Sequence, residues 1–206
     1  MSNIGVTWRR AFLTLASFVA VSLVIWPILW RLNQTHLNRV SAEWASLFEI
    51  CRTSVELDIP LMTAGMNSIV GGSLTSRTAT DEGSPVFTLD RGRFAAREET
   101  SGDAANYRRS CSIELTDDST PLDKDEIAAL LTAFVDLREQ LYEAGKHEFR
   151  DMDLVPPLTA LAFGLRDGNA AGCSTIAYIA VDLATRHATT TVGEQATSAC
   201  SARQAS

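Results

Sequence analysis

The chain has 206 residues, 46% of them hydrophobic, with 18 basic against 25 acidic side chains and a formal net charge of −7. That length suits one domain with a modest core, and the acidic balance excludes nucleic acid and anionic membrane surface as main partners. Residues 32–206 are more acidic still, because thirteen Arg and two Lys stand against all twenty-five acids, leaving −10.

Residues 1–10 form a short tail with Arg9 and Arg10. The next twenty, "AFLTLASFVAVSLVIWPILW" (Ala11 to Trp30), contain no charged side chain. As a helix they span roughly 30 Å, the hydrocarbon thickness of a bilayer. Trp8, Trp26 and Trp30 flank the run where interfacial aromatics sit. The nearest small-x-small cleavage site, "VSA", ends at Ala42, twelve positions beyond Trp30, whereas a secretory signal is cut close to a shorter apolar region. Residues 11–31 are therefore expected to be a retained single-pass anchor in contact with the lipid bilayer, with a cleaved signal as the alternative. The arginine-bearing tail places the N-terminus in the cytoplasm and everything after Arg31 across the membrane. Sixteen Arg against two Lys suit a GC-rich bacterial genome, which makes the membrane an inner membrane and the far side a periplasm.

Residues 32–59 read as a helix continuing from the membrane. Leu37, Val40, Trp44, Leu47 and Cys51 recur at steps of three and four, and Pro60 supplies a stop. This stripe packs either on the protein's own sheet or, through Leu37, Val40, Trp44 and Leu47, on another chain. Residues 60–200 then read as one periplasmic α+β domain, an antiparallel sheet packed by helices, followed by a loose tail, 201–206. "GGSLTSRTATDEGSP" (Gly71 to Pro85) reads as a long loop. "VFTLD" and "RFAARE" form a hairpin about Asp90-Arg91-Gly92, and "YRRSCSIEL" is a strand around Cys111. Asp123 three positions before Glu126 is a capping-box start for a helix from Lys124 to Ala144, with Ile127, Leu130, Leu131, Phe134, Leu137 and Leu141 on one face and Gly145 at the exit. "LTALAFGL" and "CSTIAYIAVDL" make a second hairpin, and "ATTTV" a final strand. No internal repeat is visible in the sequence.

Cys51, Cys111, Cys173 and Cys200 all follow the apolar run, without a CxxC pair. Two disulfides are expected in an oxidising compartment, with Cys51–Cys111 and Cys173–Cys200 preferred among the three connectivities.

Chemistry has little to stand on. The acidic runs "TDDSTPLDKDE" and "HEFRDMD" lack the spacing of an EF-hand or a two-histidine motif, and read as a turn with a helix N-terminus and a solvated helix exit. There is no GxSxG, SxxK or phosphate loop, and His36, His147 and His187 join no motif. No catalytic residue, metal ligand or cofactor is assigned, and the chain is read as a non-enzyme. Arg91, Arg93 and Arg97 share strand parity, and Arg108 and Arg109 precede Cys111, so these five form either an exposed strand face with internal salt bridges to Glu98, Glu99 or Asp103, or a candidate docking strip for an acidic partner. The layout of anchor, α+β domain and terminal cysteine pair is similar to that of type IV pilins and pseudopilins. "GVTWRRAFLTLASF" nevertheless has no glycine directly before the apolar run and no glutamate near the fifth position after one. The expected function is that of an accessory or stabilising subunit of a membrane complex, acting through membrane-protein partners. A periplasmic ligand-binding module, a cell-envelope hydrolase and a pilin-like assembly component are the alternatives.

Overall fold

The structure, a computed structural model, describes residues 4–67, 74–78, 85–89, 92–101, 108–117, 119–144, 147–149, 158–165 and 173–194, the side chains of residues 4–24 and of a few positions in short elements excepted. The chain divides into two compact units, Met1–Arg39 and Val40–Ser206.

The first unit is helical from Ile4, within helix α1 (Ile4–Glu56). The large apolar side chains described between Ile25 and Leu32 are exposed: Trp26 is 74% exposed, Leu32 62% and Trp30 58%. Among the residues whose side chains are described, no helix is long and apolar enough to cross a membrane. Residues 11–24 of the expected span lie outside that set.

The second unit is an α+β domain. Its eight strands are β1 (Leu74–Thr78), β2 (Pro85–Leu89), β3 (Phe94–Ser101), β4 (Arg108–Leu115), β5 (His147–Phe149), β6 (Leu158–Leu165), β7 (Thr175–Asp182) and β8 (His187–Glu194). They form one antiparallel sheet in the order β1-β2-β3-β4-β8-β7-β6-β5. Two four-stranded meanders therefore meet at β4 and β8, and each meander follows a helix in the chain. A repeat in element order exists without one in sequence.

Alternation places one parity of each central strand in the core. Phe94 and Ala96, Cys111 and Ile113, Ala177, Ile179 and Val181, and Thr190 and Val192 are all buried there. All three helices pack on this face. α1 contributes Val40, Trp44, Leu47, Phe48, Cys51 and Val55, every one buried. α2 (Leu61–Asn67) brings Gly65 so near Phe87 that an added Cβ would sit 2.7 Å from the ring. α3 (Lys124–Glu143) supplies Ile127, Leu130, Phe134 and Leu141. Trp44, Phe48, Phe134 and Phe163 join the layers, with ring centroids 5.3–6.3 Å apart. The Trp44 indole N–H donates to Thr190 Oγ1 at 2.9 Å, so the ring is buried without stranding its donor.

α3 starts as its sequence predicts. Asp123 is the N-cap, its side chain accepts the Glu126 N–H at 2.8 Å, and the Glu126 carboxylate accepts the Asp123 N–H at 2.9 Å. Gly145 lies outside the described residues. Three expectations need correction. The supposed loop 71–85 contains β1, "HEFRDMD" opens with strand β5 rather than a helix exit, and α2 follows Pro60 unannounced. β1 and β5 are the sheet edges, each paired with one neighbour, and their short sequences lack a period-two signal.

Candidate functional site

The candidate docking strip is largely taken apart by internal ion pairs. Arg93 lies just before β3, and its guanidinium pairs with Glu126 at the start of α3 while donating to the Thr120 carbonyl at 3.1 Å. Glu126 is 2% exposed, so this bond neutralises a buried carboxylate. Arg109 is on the core-facing parity of β4, opposite to Arg108. It pairs with Glu98, donates through Nε to Asp58 at 3.2 Å, and donates to the Ile59 carbonyl at 3.1 Å. Neither residue is available to a partner. Arg91 lies outside the described residues. Arg97 and Arg108 remain, half-buried on the sheet face on which, among the described residues of the second unit, no helix packs.

The Arg109 cluster has a structural role. Glu98 also accepts the Leu61 N–H at 2.7 Å, and Glu194 accepts the Arg109 N–H at 3.0 Å. The turn from α1 into α2, where Asp58 adopts φ 52°, is thereby tied to β3, β4 and β8. One turn back along α1, the Cys51–Cys111 disulfide joins helix to sheet, with both cysteines fully buried. This is the pairing expected from the sequence. Cys173 is disulfide-bonded too, and Cys200, its expected partner, lies outside the described residues. On the other side of α1, the Glu43 carboxylate accepts the Phe94 N–H at 2.9 Å. A Cβ at Gly92 would overlap Glu43 Oε1, so a side chain there would displace the carboxylate that holds the Phe94 N–H.

The helix stripe is likewise committed. Val40, Trp44 and Leu47 are 0–2% exposed in the domain's own core, which removes them as an interface with another chain. The fourth, Leu37, is half-buried in the first unit.

The acidic runs serve local structure. Asp117 accepts the Ser119 N–H at 2.9 Å and the Thr120 hydroxyl at 3.3 Å. Hydrogen bonds from Ser119, then Thr120, hold its carboxyl below the usual carboxylate value. Among the described residues no group of three His, Cys, Asp or Glu side chains is arranged to hold a metal ion. A shallow cleft of about 210 Å³ is lined by Gly92, Arg93, Leu115, Thr116, Asp117 and Thr120. Its ionic groups are already bonded within the protein, and it is smaller than the roughly 300 Å³ at which small-molecule sites begin. Glu99, weighed from the sequence as an internal partner of the arginines, and Glu114, which the sequence reading missed, share by strand parity the face of Arg97 and Arg108.

No family model, no curated protein and no solved structure matches the chain.

Proposed function

We propose that the protein is a single-pass, membrane-anchored periplasmic subunit that acts by protein–protein interaction within a membrane complex, with its N-terminus in the cytoplasm. One observation carries this reading. Ile25, Trp26, Ile28, Leu29 and Trp30 are 47–74% exposed on consecutive turns of α1, and they belong to the uncharged run that starts at Ala11. A contiguous apolar surface of that kind is stable when lipid or a partner covers it. The helical backbone across Ala11–Trp30 and the export-compatible disulfide agree with it.

Membranes from the native host, washed with alkaline carbonate and then opened with mild detergent, should retain the full-length chain. A C-terminal tag should then bring down companions at fixed stoichiometry. Release of the chain into the soluble fraction with an N-terminus near Glu43 would remove the anchor. Retention in the membrane without companions would remove the subunit role.

A further inference from the structure

We infer that the helix-free face of the sheet is a homodimer surface, on which a second copy of this chain docks face to face about a two-fold axis. Register fixes the pattern on that face. Arg97, Ser112, Thr191 and Tyr178 lie in one row across β3, β4, β8 and β7. The next row toward the β3 C-terminus is Glu99, Ser110, Gly193 and Ile176. Glu114 lies one row beyond Arg97, and Arg108 one row beyond Glu99.

Arg97 and Arg108 stand apart. The other half-buried or buried arginines among the described residues, Arg52, Arg93, Arg109 and Arg138, each meet a carboxylate. Among the described residues Arg97 and Arg108 meet none, and the exposed Glu99 and Glu114 meet no cation. The Ser112 hydroxyl between them is buried without a hydrogen-bond partner.

One symmetry operation completes all of them. Place the axis between two facing sheets, across the strands, midway between the Arg97 row and the Glu99 row. Arg97 then faces Glu99 of the second copy, and Glu99 faces its Arg97. The same axis sets Glu114 opposite Arg108 of the second copy, and the converse. It also sets Ser112 against the second copy's Ser110, Tyr178 against its Ile176, and Thr191 against its Gly193. Gly193 already lies so close to Ser110 that an added Cβ would be 2.9 Å from the serine Cβ, so the spot is flat. Opposite charges, paired apolar groups and a side chain over a glycine thus all follow from a single axis, as an isologous interface requires. The small residues between the charges suit facing sheets about 10 Å apart, and the arginine and glutamate side chains are long enough to absorb the ~30° crossing of packed sheets.

The five strands from β3 to β6 span about 19 Å, and an eight-residue strand about 26 Å. The pair would therefore bury roughly 1,000 Å² in total, the lower edge of specific interfaces. Confinement in a membrane raises the effective concentration enough to populate such a dimer. Only that last step rests on the anchored reading.

The test is charge exchange in the full chain in mild detergent, read by light scattering with the detergent mass separated. Arg97→Glu and Glu99→Arg each put like charges face to face at two symmetric places, and each should raise the dimer dissociation constant about tenfold or more. The double variant R97E/E99R restores opposite charges and should restore the dimer. These side chains lie outside the core, and an unchanged near-ultraviolet circular dichroism spectrum will show that each variant is folded. A monomeric wild type at the highest attainable concentration, single variants as dimeric as wild type, or a double variant as weak as the singles would each overturn the inference. A dimer without foreign companions keeps the dimer and removes the accessory-subunit role, whereas companions around a monomer do the reverse.

Discussion

In the turn between β7 and β8, the Asp182 carboxylate accepts the N–H groups of Ala184 at 2.8 Å and Thr185 at 3.3 Å. Those bonds, with lesser help from the Thr185 hydroxyl and the nearby His187, hold its carboxyl below its ordinary value of 3.8. A depressed folded-state pKa stabilises the fold above the unfolded value, and that stability is lost as pH falls through the folded value. Asp182→Asn should therefore lower the urea midpoint at pH 7, and the gap to wild type should close below about pH 4. Asp117 has the same sign for the same reason, in the turn that leads to α3. Equal urea midpoints for Asp182→Asn and wild type at pH 7 would mean that the hairpin does not need this carboxylate. Asp117 was legible as a turn former, because a side chain bonding its own backbone two residues on is a local event, whereas Asp182 reads as the end of a strand. Glu98 could be weighed from the sequence as a partner of the arginines, but Arg108 and Arg109 were placed in one strip, and nothing in the sequence signals Asp58 or Glu126 as partners.

Among the elements, α1 is held hardest where it meets the central strands. Cys51–Cys111 closes a chain separation of 60 residues. Loop-closure entropy for a cross-link of that span corresponds to about 4 kcal/mol. The double variant Cys51→Ala and Cys111→Ala should lose about 3–4 kcal/mol of unfolding free energy by denaturant titration. A loss below about 1 kcal/mol would mean that the Arg109 cluster and the Trp44–Thr190 bond suffice to hold α1 in place. The elements most legible in the sequence are those whose signal is local. α3 carries its capping box and apolar stripe, and β3, β4 and β6–β8 carry alternation or apolar runs between turns. β1, β5 and α2 carry no such signal: β1 and β5 are short edge strands paired only with the strand that follows each, and α2 is a seven-residue helix.

At the scale of the whole domain, the two helix-plus-meander halves share one seam, β4 against β8. Either half alone would leave that strand as an exposed edge and uncover a core it shares with the other. Trp44 from the first half bonds Thr190 of the second, and Phe48 stacks with Phe134 and Phe163 across the same boundary. Cys111, on the seam, carries the disulfide to α1. The halves are therefore expected to unfold as one cooperative unit with its strongest point at the seam, despite the resemblance of their element order to two small domains. Local opening is easiest where hydrogen bonds are fewest and contacts sparse, which points to the edges β1 and β5. Amide exchange should be slowest at Cys111, Ile113, Thr190 and Val192, faster through β3 and β7, and fastest at β1 and β5. The competing picture, two domains that happen to touch, makes the opposite forecast: seam amides would exchange before those inside each meander. Mass-resolved exchange on the oxidised full chain separates the two, because peptides covering β4 and β8 would then be either the last or among the first to take up deuterium.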